Sequence, residues 1–274
     1  MQQYPVALCY PDALSMRTPI KAKERMICSA APILAPVLAA ALAIGVGFLV
    51  PNAAAQSDPY PKRAPVDQYL MEKNAEVQLA RSAAPDSISR DATILVLGRQ
   101  GYETAVDGRN GFVCMVGRAW AGMFDWPEFW NPKVRAADCL NPQAARSIVP
   151  ILELRARMVM AGRSKAEMVL AVQAAFAKKQ LPSLESGAMD YMMSKSSYLT
   201  DQGSHDLPHV MFYTSVENAD DWGSGAAGSP IMSAPYWFIS PKDPSQLKGL
   251  PPILVFLVMV PDWSDGTPAG QPHD

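Results

Sequence analysis

The sequence predicts an α+β fold: a single domain with an antiparallel or mixed sheet of about five to six strands and an αα-hairpin packed on one face. Strand-like runs precede and follow a central helical stretch, and internal repeats are absent from the sequence. Strands, then helices, then further strands are typical of a layered α+β domain. We expect this domain to cover residues 92–263.

The first elements are a helix and three strands. Residues 65–83 place apolar side chains near one face and begin with Pro65, which suits a first helical turn. Residues 92–97 are a β-branched apolar run and predict a strand. Residues 102–106 and 111–116 flank a loop of Asp, Gly, Arg and Asn, and this pattern predicts a hairpin.

The two central helices have clear boundaries. Asn141 is a candidate N-cap with Pro142 at the first helical position, and Pro150 is expected to kink or split the helix. Ser164 begins the second helix, and Glu167 completes a capping box. Because the turn between the helices is short, we expect an αα-hairpin.

The C-terminal part is strand-rich. Residues 188–193, 209–214 and 253–260 predict three strands separated by Pro-rich connections. Residues 264–274 are rich in Gly and Pro, which predicts a disordered tail. Residues 56–91 are expected to form an N-terminal spacer followed by the first helix.

An export signal is predicted over residues 1–55. Basic residues precede an uncharged, mostly apolar run at 27–50, and Ala53 and Ala55 fit the small-residue positions of a cleavage site. Met16 would give an orthodox basic start. The cleaved chain would be secreted or periplasmic, and the alternative is a chain anchored in the membrane by an uncleaved signal.

Composition narrows the range of partners. The chain has 24 basic and 26 acidic residues and a net charge of −2. A mildly acidic chain is not expected to bind nucleic acid or anionic membrane surfaces through electrostatic attraction. Residues 251–261 are apolar but too short to cross a bilayer, so we expect no stable membrane insertion after signal cleavage.

Two cysteines would remain after cleavage, Cys114 and Cys139. An even pair in an exported chain predicts a disulfide, because export exposes both thiols to an oxidising compartment. The alternative is two separate buried thiols.

A histidine segment is the candidate metal site. His205, Asp206 and His209 lie within five residues, and imidazole and carboxylate are usual ligands of divalent zinc-class metals. The alternative is a solvated loop histidine followed by a histidine at the start of a strand. No other cofactor is predicted, because the G-x-G-x-x-G match at 223–228 lacks the strand and the helix that bind a dinucleotide.

An aromatic segment is the candidate ligand-binding site. Trp120, Trp126 and Trp130 lie close together in sequence, with Asp125 and Glu128 among them. Exposed tryptophans beside carboxylates would suit a sugar or peptide, so we expect an unknown small-molecule or extracellular ligand. The alternative is that these aromatic side chains form a local core.

Five short motifs resemble those of a family of uncharacterised secreted bacterial proteins, and the similarity extends over residues 85–266. The resemblance implies export and a single domain, and it implies no catalytic residue because the family has no assigned reaction. The family is richer in histidine near the position of His205, which weakens the metal hypothesis. The motifs are Gly101-Tyr102-Glu103, Asn110-Gly111-Phe112-Val113-Cys114, Glu128-Phe129-Trp130-Asn131-Pro132, Tyr191-Met192-Met193-Ser194 and Pro208-His209-Val210-Met211-Phe212.

These patterns together predict an exported globular protein that binds a ligand without catalysing a reaction. One alternative is a metal-dependent enzyme centred on His205, Asp206 and His209. A second alternative is a structural protein of the cell envelope. No motif in the sequence decides whether the chain is an enzyme.

Overall fold

A mixed sheet of eight strands runs through the described part of the chain in the computed structural model. The structure describes residues 59–124, 126–203, 207–215, 219–223, 232–235, 249–251 and 253–270, without the side chains of 219, 220 and 232–235. All of the described residues belong to one compact unit. The expected export signal lies outside the described residues.

The spatial order of the strands is β2-β1-β3-β4-β5-β6-β8-β7. Strands β1 and β3 are parallel, and every other neighbouring pair described is antiparallel. The strands are β1 (Thr93–Gly98), β2 (Gly101–Val106), β3 (Val113–Gly117), β4 (Ala136–Leu140), β5 (Met189–Met192), β6 (His209–Thr214), β7 (Met232–Pro235) and β8 (Leu254–Met259).

The α+β class is confirmed, and the sheet is larger than expected. All six predicted strands form, and β4 and β7 are additional. Strand β4 lacks the β-branched residues that reveal a strand, and β7 has four residues and ends in a proline. The predicted β2–β3 hairpin is wrong, since β1 lies between these strands and forms the hairpin with β2.

The two central helices begin where the capping residues predict, whereas the first helix is shorter than the expected 65–83 and begins at Lys73, after the Glu72 side chain caps it. The Asn141 side chain accepts a hydrogen bond from the backbone N–H of Ala144 at 2.9 Å, and Ser164 and Glu167 form the capping box. The helix that contains Pro150 is split, with the break at Ile148. The helices are α1 (Lys73–Arg81), α2 (Asp86–Ser89), α3 (Pro142–Ser147), α4 (Val149–Met160) and α5 (Lys165–Ala177). The packing of α4 and α5 as an antiparallel hairpin stays a prediction.

Hydrophobic clusters cover the two faces of the sheet. Helix α1 contacts β1, β3 and β4, and its alanines pack against a small cluster that includes both Cys114 and Cys139. The larger cluster lies on the other face and includes buried residues of α3, α4 and α5. Helix α4 contacts β2, while α3 contacts β4 and β5.

A buried ion pair connects α1 with the sheet. The Arg118 guanidinium donates to Glu76 Oε1 at 2.8 Å, and both side chains are almost completely inaccessible to solvent. Glu76 Oε1 also accepts from the backbone N–H of Leu97 at 3.1 Å. Arg118 donates further hydrogen bonds to the carbonyl oxygens of Tyr69 and Val116, so the buried charges are well satisfied.

A disordered tail was expected over residues 264–274, but residues 264–270 make defined contacts with the domain. The backbone N–H of Ser264 donates to the carbonyl of Met193 at 3.0 Å, and Lys195 pairs with Asp265 at 2.8 Å. Asp265 also accepts from the Thr267 backbone, which closes a turn. In the ranges that the structure describes, no helix has the length and apolar character needed to cross a membrane.

Candidate functional site

The aromatic segment contributes mainly to the core. Trp120 is 1% exposed and Trp130 is 6% exposed, and both belong to the larger hydrophobic cluster. The Trp120 ring packs edge-on against Tyr69, with 4.6 Å between the ring centroids. Trp126 is half-buried. A ligand-binding role for the three tryptophans stays a prediction.

The histidine segment is described in part. His209 is the first residue of β6 and is buried, and its Nδ1 lies 2.8 Å from the carbonyl oxygen of Leu207. His205 and Asp206 lie outside the described residues, so the three-residue divalent site stays a prediction. Among the described residues, no group of three His, Cys, Asp or Glu side chains is placed to hold a metal ion.

The two cysteines meet in the sheet. Cys114 on β3 lies directly opposite Cys139 on β4, and both are fully buried. Their sulfurs are at disulfide distance, with 3.9 Å between the Cα atoms. The pair joins the two strands on the face that α1 covers.

A polar cluster lies at the surface beside the aromatic segment, and we call it the Asp201 cluster: Tyr60, Lys133, Tyr198 and Asp201. The Asp201 carboxylate accepts from the Tyr60 and Tyr198 hydroxyls at 2.5 Å each. It also pairs with the Lys133 ammonium at 2.6 Å. The Lys133 ammonium lies 5.7 Å from the centroid of the Tyr198 ring. One carboxylate thus gathers the nearby Tyr198 and two side chains, Tyr60 and Lys133, that are distant from it in sequence.

Buried residues of the aromatic segment support the Asp201 cluster from below. The Glu128 carboxylate accepts from the Thr200 hydroxyl at 2.5 Å and from the Asp201 backbone N–H at 3.1 Å. The Asn131 amide donates to Glu128 at 2.8 Å and to Asp201 at 3.2 Å. Both Glu128 and Asn131 are buried. The polar residues of the aromatic segment, Glu128 and Asn131, therefore hold Thr200 and Asp201 in place. These two residues lie just before the histidine segment in the sequence.

Electrostatics keep Asp201 ionised. Hydrogen bonds from Lys133, Tyr198 and Tyr60 hold the pKa of the Asp201 carboxyl far below its usual value. The same contact with Asp201 raises the pKa of the Lys133 ammonium. A carboxylate that is already saturated with donors and ionised at all ordinary pH values is a poor proton acceptor. The geometry therefore suits binding rather than acid–base catalysis.

A second polar group is buried in the sheet. Asp190 on β5 accepts a hydrogen bond from the Tyr213 hydroxyl on β6, and it interacts with the carboxyl of Asp138 on β4. Burial raises the pKa of Asp190 to about 7, against the opposing effect of the Tyr213 hydrogen bond. Burial and the charge of Asp190 raise the pKa of Asp138 well above its usual value. Sequence reasoning missed this pair, although an aspartate between apolar strand residues was a visible signal at both positions.

Two large aromatic side chains stay exposed on or beside the sheet. Phe212 projects from β6, and Trp222 packs against Phe256 with 5.3 Å between the ring centroids. Register places Phe212 opposite Phe256, so the three rings are neighbours. Trp222 was not selected from the sequence, because its Asp- and Gly-rich surroundings predict a loop and nothing more.

Comparison with protein-family models, with curated proteins and with solved structures gives no match to this chain.

Proposed function

We propose that the chain is an exported, non-catalytic binding protein, and that the Asp201 cluster binds a neutral, hydroxyl-rich ligand, a carbohydrate. The observation that carries this proposal is one partly exposed carboxylate that holds two tyrosine hydroxyls and a lysine ammonium in a fixed arrangement. Export is inferred from the N-terminal signal pattern, and a cysteine pair at disulfide distance is compatible with it.

Charge favours a neutral ligand. Lys133 and Asp201 are 2.6 Å apart and neutralise each other. An anion drawn to Lys133 would be repelled by Asp201, and a cation drawn to Asp201 would be repelled by Lys133. A neutral ligand meets neither penalty.

Hydrogen-bonding capacity favours hydroxyl groups. A phenol oxygen that donates its proton can still accept hydrogen bonds, and an ammonium carries three donors. Lys133 also interacts with the Tyr60 and Tyr198 hydroxyls, so the Asp201 cluster is a connected set of hydroxyl, ammonium and carboxylate groups. A sugar hydroxyl both donates and accepts, so it matches this mixture, and the apolar face of a sugar ring suits the half-buried tyrosine rings.

Preorganisation supports a binding role. Burying a carboxylate such as Glu128 is costly unless its oxygens are hydrogen-bonded, and here they accept from Thr200, Asn131 and the Asp201 backbone. Buried groups that fix a surface cluster reduce the entropy lost when a ligand binds.

A lysine variant with a matched control tests the proposal. Lys133→Ala removes the donor of a pair whose side chains are 54% and 34% exposed. Arg146→Ala is the control, because Arg146 pairs with Glu185 at the same distance, 2.6 Å, with 59% and 37% exposure. Calorimetric titration of the exported protein with a panel of neutral, anionic and cationic oligosaccharides measures binding.

We expect binding of at least one neutral oligosaccharide. Lys133→Ala should weaken it by roughly 10- to 150-fold, because a hydrogen bond to a charged group is worth about 1.5–3 kcal/mol. Arg146→Ala should bind like the parent protein. Failure of every neutral oligosaccharide to bind the parent, or an equal loss in both variants, would overturn the proposal.

A further inference from the structure

Helix α5 is apolar on its outer side as well as on its inner side. From residue 168 to residue 177 the sequence contains no charged side chain, and Gln173 is the only polar one. A helix at the surface of a monomeric protein normally turns charged residues toward water. On α5, however, Leu170 is 65% exposed. The inner side is formed by four buried residues, Met168, Val169, Val172 and Ala175.

The outer side is centred on Leu170, and we call it the α5 face: Ala166, Leu170, Ala174 and Ala177. These four residues are exposed and follow one another at spacings of four, four and three residues, so they lie along one line of the helix. One large side chain between alanines gives a surface with a single projection and shallow places on both sides of it. Such a surface fits a copy of itself, in which each leucine packs between the alanines of the other helix.

Charged side chains lie at the two ends of the α5 face. Glu167 lies in the first turn, and Lys178 directly follows the last residue of the helix. At about 100° per residue, both fall on the same flank of the α5 face. Lys165 belongs to the inner side, since its ammonium lies 4.6 Å from the centroid of the buried Phe129 ring. One flank of the α5 face therefore carries a carboxylate at its beginning and an ammonium at its end.

We propose that α5 packs antiparallel against α5 of a second copy of this chain, about a two-fold axis that passes near Val172. A two-fold axis at this point places Leu170 of each copy opposite Ala174 of the other. It also brings Glu167 of each copy beside Lys178 of the other, because a perpendicular two-fold axis keeps the flank and exchanges the ends. Parallel helices would instead place each Lys178 at the same level as its own copy.

The helix dipoles favour the same arrangement. In the antiparallel pair the amino end of each helix lies beside the carboxyl end of the other, where opposite partial charges meet. Arg163, which pairs with Glu167 at 3.2 Å, then lies near the carboxyl end of the other helix, where a cation is stabilised. The α5 face is independent of the Asp201 cluster.

The size of the α5 face indicates a reversible dimer. Its 13 residues span about 20 Å, and two such helices bury less than the roughly 1,200 Å² at which stable interfaces begin. We therefore expect monomer and dimer to exchange within the range of about 1 μM to 1 mM. Sedimentation velocity of the exported protein over this range measures the dimer dissociation constant.

Two variants with matched controls test the interface and its direction. Leu170→Lys puts a charge at the centre of the α5 face, and Gln78→Lys adds the same charge at an exposed position of α1. Lys178→Glu reverses the charge that faces Glu167 of the other copy. Lys179→Glu is its control, because Lys179 is equally exposed but has left the helix, with φ of 55°. Circular dichroism confirms that each variant is folded.

We expect the parent protein to dimerise. Leu170→Lys should raise the dimer dissociation constant at least about 100-fold, because each copy loses its leucine from the interface. Lys178→Glu should raise it at least about threefold, because two ion pairs become like-charge contacts. Gln78→Lys and Lys179→Glu should dimerise like the parent protein.

Three results would overturn the proposal. The first is a parent protein that stays monomeric over the whole range, including one whose α5 face binds phosphatidylcholine vesicles instead. The second is a Leu170→Lys variant that dimerises as well as Gln78→Lys. The third is an equal effect of Lys178→Glu and Lys179→Glu, which would exclude the antiparallel arrangement.

Discussion

A Glu76→Gln substitution would remove the charge that neutralises the buried guanidinium of Arg118. The two side chains are 2.8 Å apart, and neither has appreciable contact with solvent. Glutamine keeps the shape of glutamate and can still accept a hydrogen bond from the backbone N–H of Leu97. The perturbation is therefore confined to one unit of buried charge.

The expected loss in the free energy of unfolding is large, although the substitution replaces only one carboxylate oxygen by an amide nitrogen. Loss of one partner of a buried ion pair costs about 3–5 kcal/mol, because the remaining charge is left uncompensated in a low-dielectric interior. The amide group of the substituted side chain retains part of the hydrogen bonding, so we expect the lower end, about 3 kcal/mol. In a domain of this size each kcal/mol lowers Tm by roughly 2–4 °C, which gives a fall of about 6–12 °C.

Urea unfolding and thermal melting measure this effect, with Asp67→Asn as the control. Asp67 pairs with Arg99 at 2.5 Å, but both side chains are exposed, so the same carboxylate-to-amide change should cost less than about 1 kcal/mol. A Glu76→Gln, Arg118→Met double variant removes both charges and should recover part of the loss. If Glu76→Gln were no less stable than Asp67→Asn, the reasoning about the buried charge would be refuted.

Three further predictions concern stability. Because burial raises the folded-state pKa of Asp190 to about 7, from an ordinary value of 3.8, the folded protein should lose stability as pH rises from about 4 to about 7. The Asp138→Asn, Asp190→Asn double variant should lack this part of the pH dependence in urea unfolding, and an unchanged slope would contradict the prediction. Thiol labelling of the denatured, non-reduced exported protein should find Cys114 and Cys139 unreactive, and replacing both by serine should cost roughly 3 kcal/mol. Labelling of both would show that they are separate thiols. Ser164→Ala should cost about 1 kcal/mol through loss of the capping box, measured by thermal melting, and a variant that melts like the parent would show that the cap is dispensable.

Local chemistry was sufficient to predict most of the secondary structure. The N-caps at Asn141 and Ser164 and the break near Pro150 depend on residues within one helical turn, so they are visible in the sequence. Six strands were recognisable from short segments of strand-forming residues bounded by turn residues. The proximity of Cys114 and Cys139 was predictable from their number and the expected compartment, although not their opposition across two strands.

Tertiary structure decided what local patterns do not encode. Strand β4 forms because β3 and β5 supply hydrogen-bonding partners on both sides, although its own residues are poor strand formers. Trp120 and Trp130 are buried in the larger hydrophobic cluster, to which residues of α3, α4 and α5 also belong.

The candidate site was likewise decided by contacts between distant residues. Asp201 meets Tyr60 and Lys133 only after the chain has folded, and no spacing in the sequence reports that contact. The uncharged run of α5 is visible in the sequence, but only the packing of the helix shows that Leu170 stays exposed. Sequence determined the elements and their caps because those interactions are local. The order of the strands, their register and the side chains that meet across them were decided by non-local packing, which also assembles the Asp201 cluster and leaves the α5 face exposed.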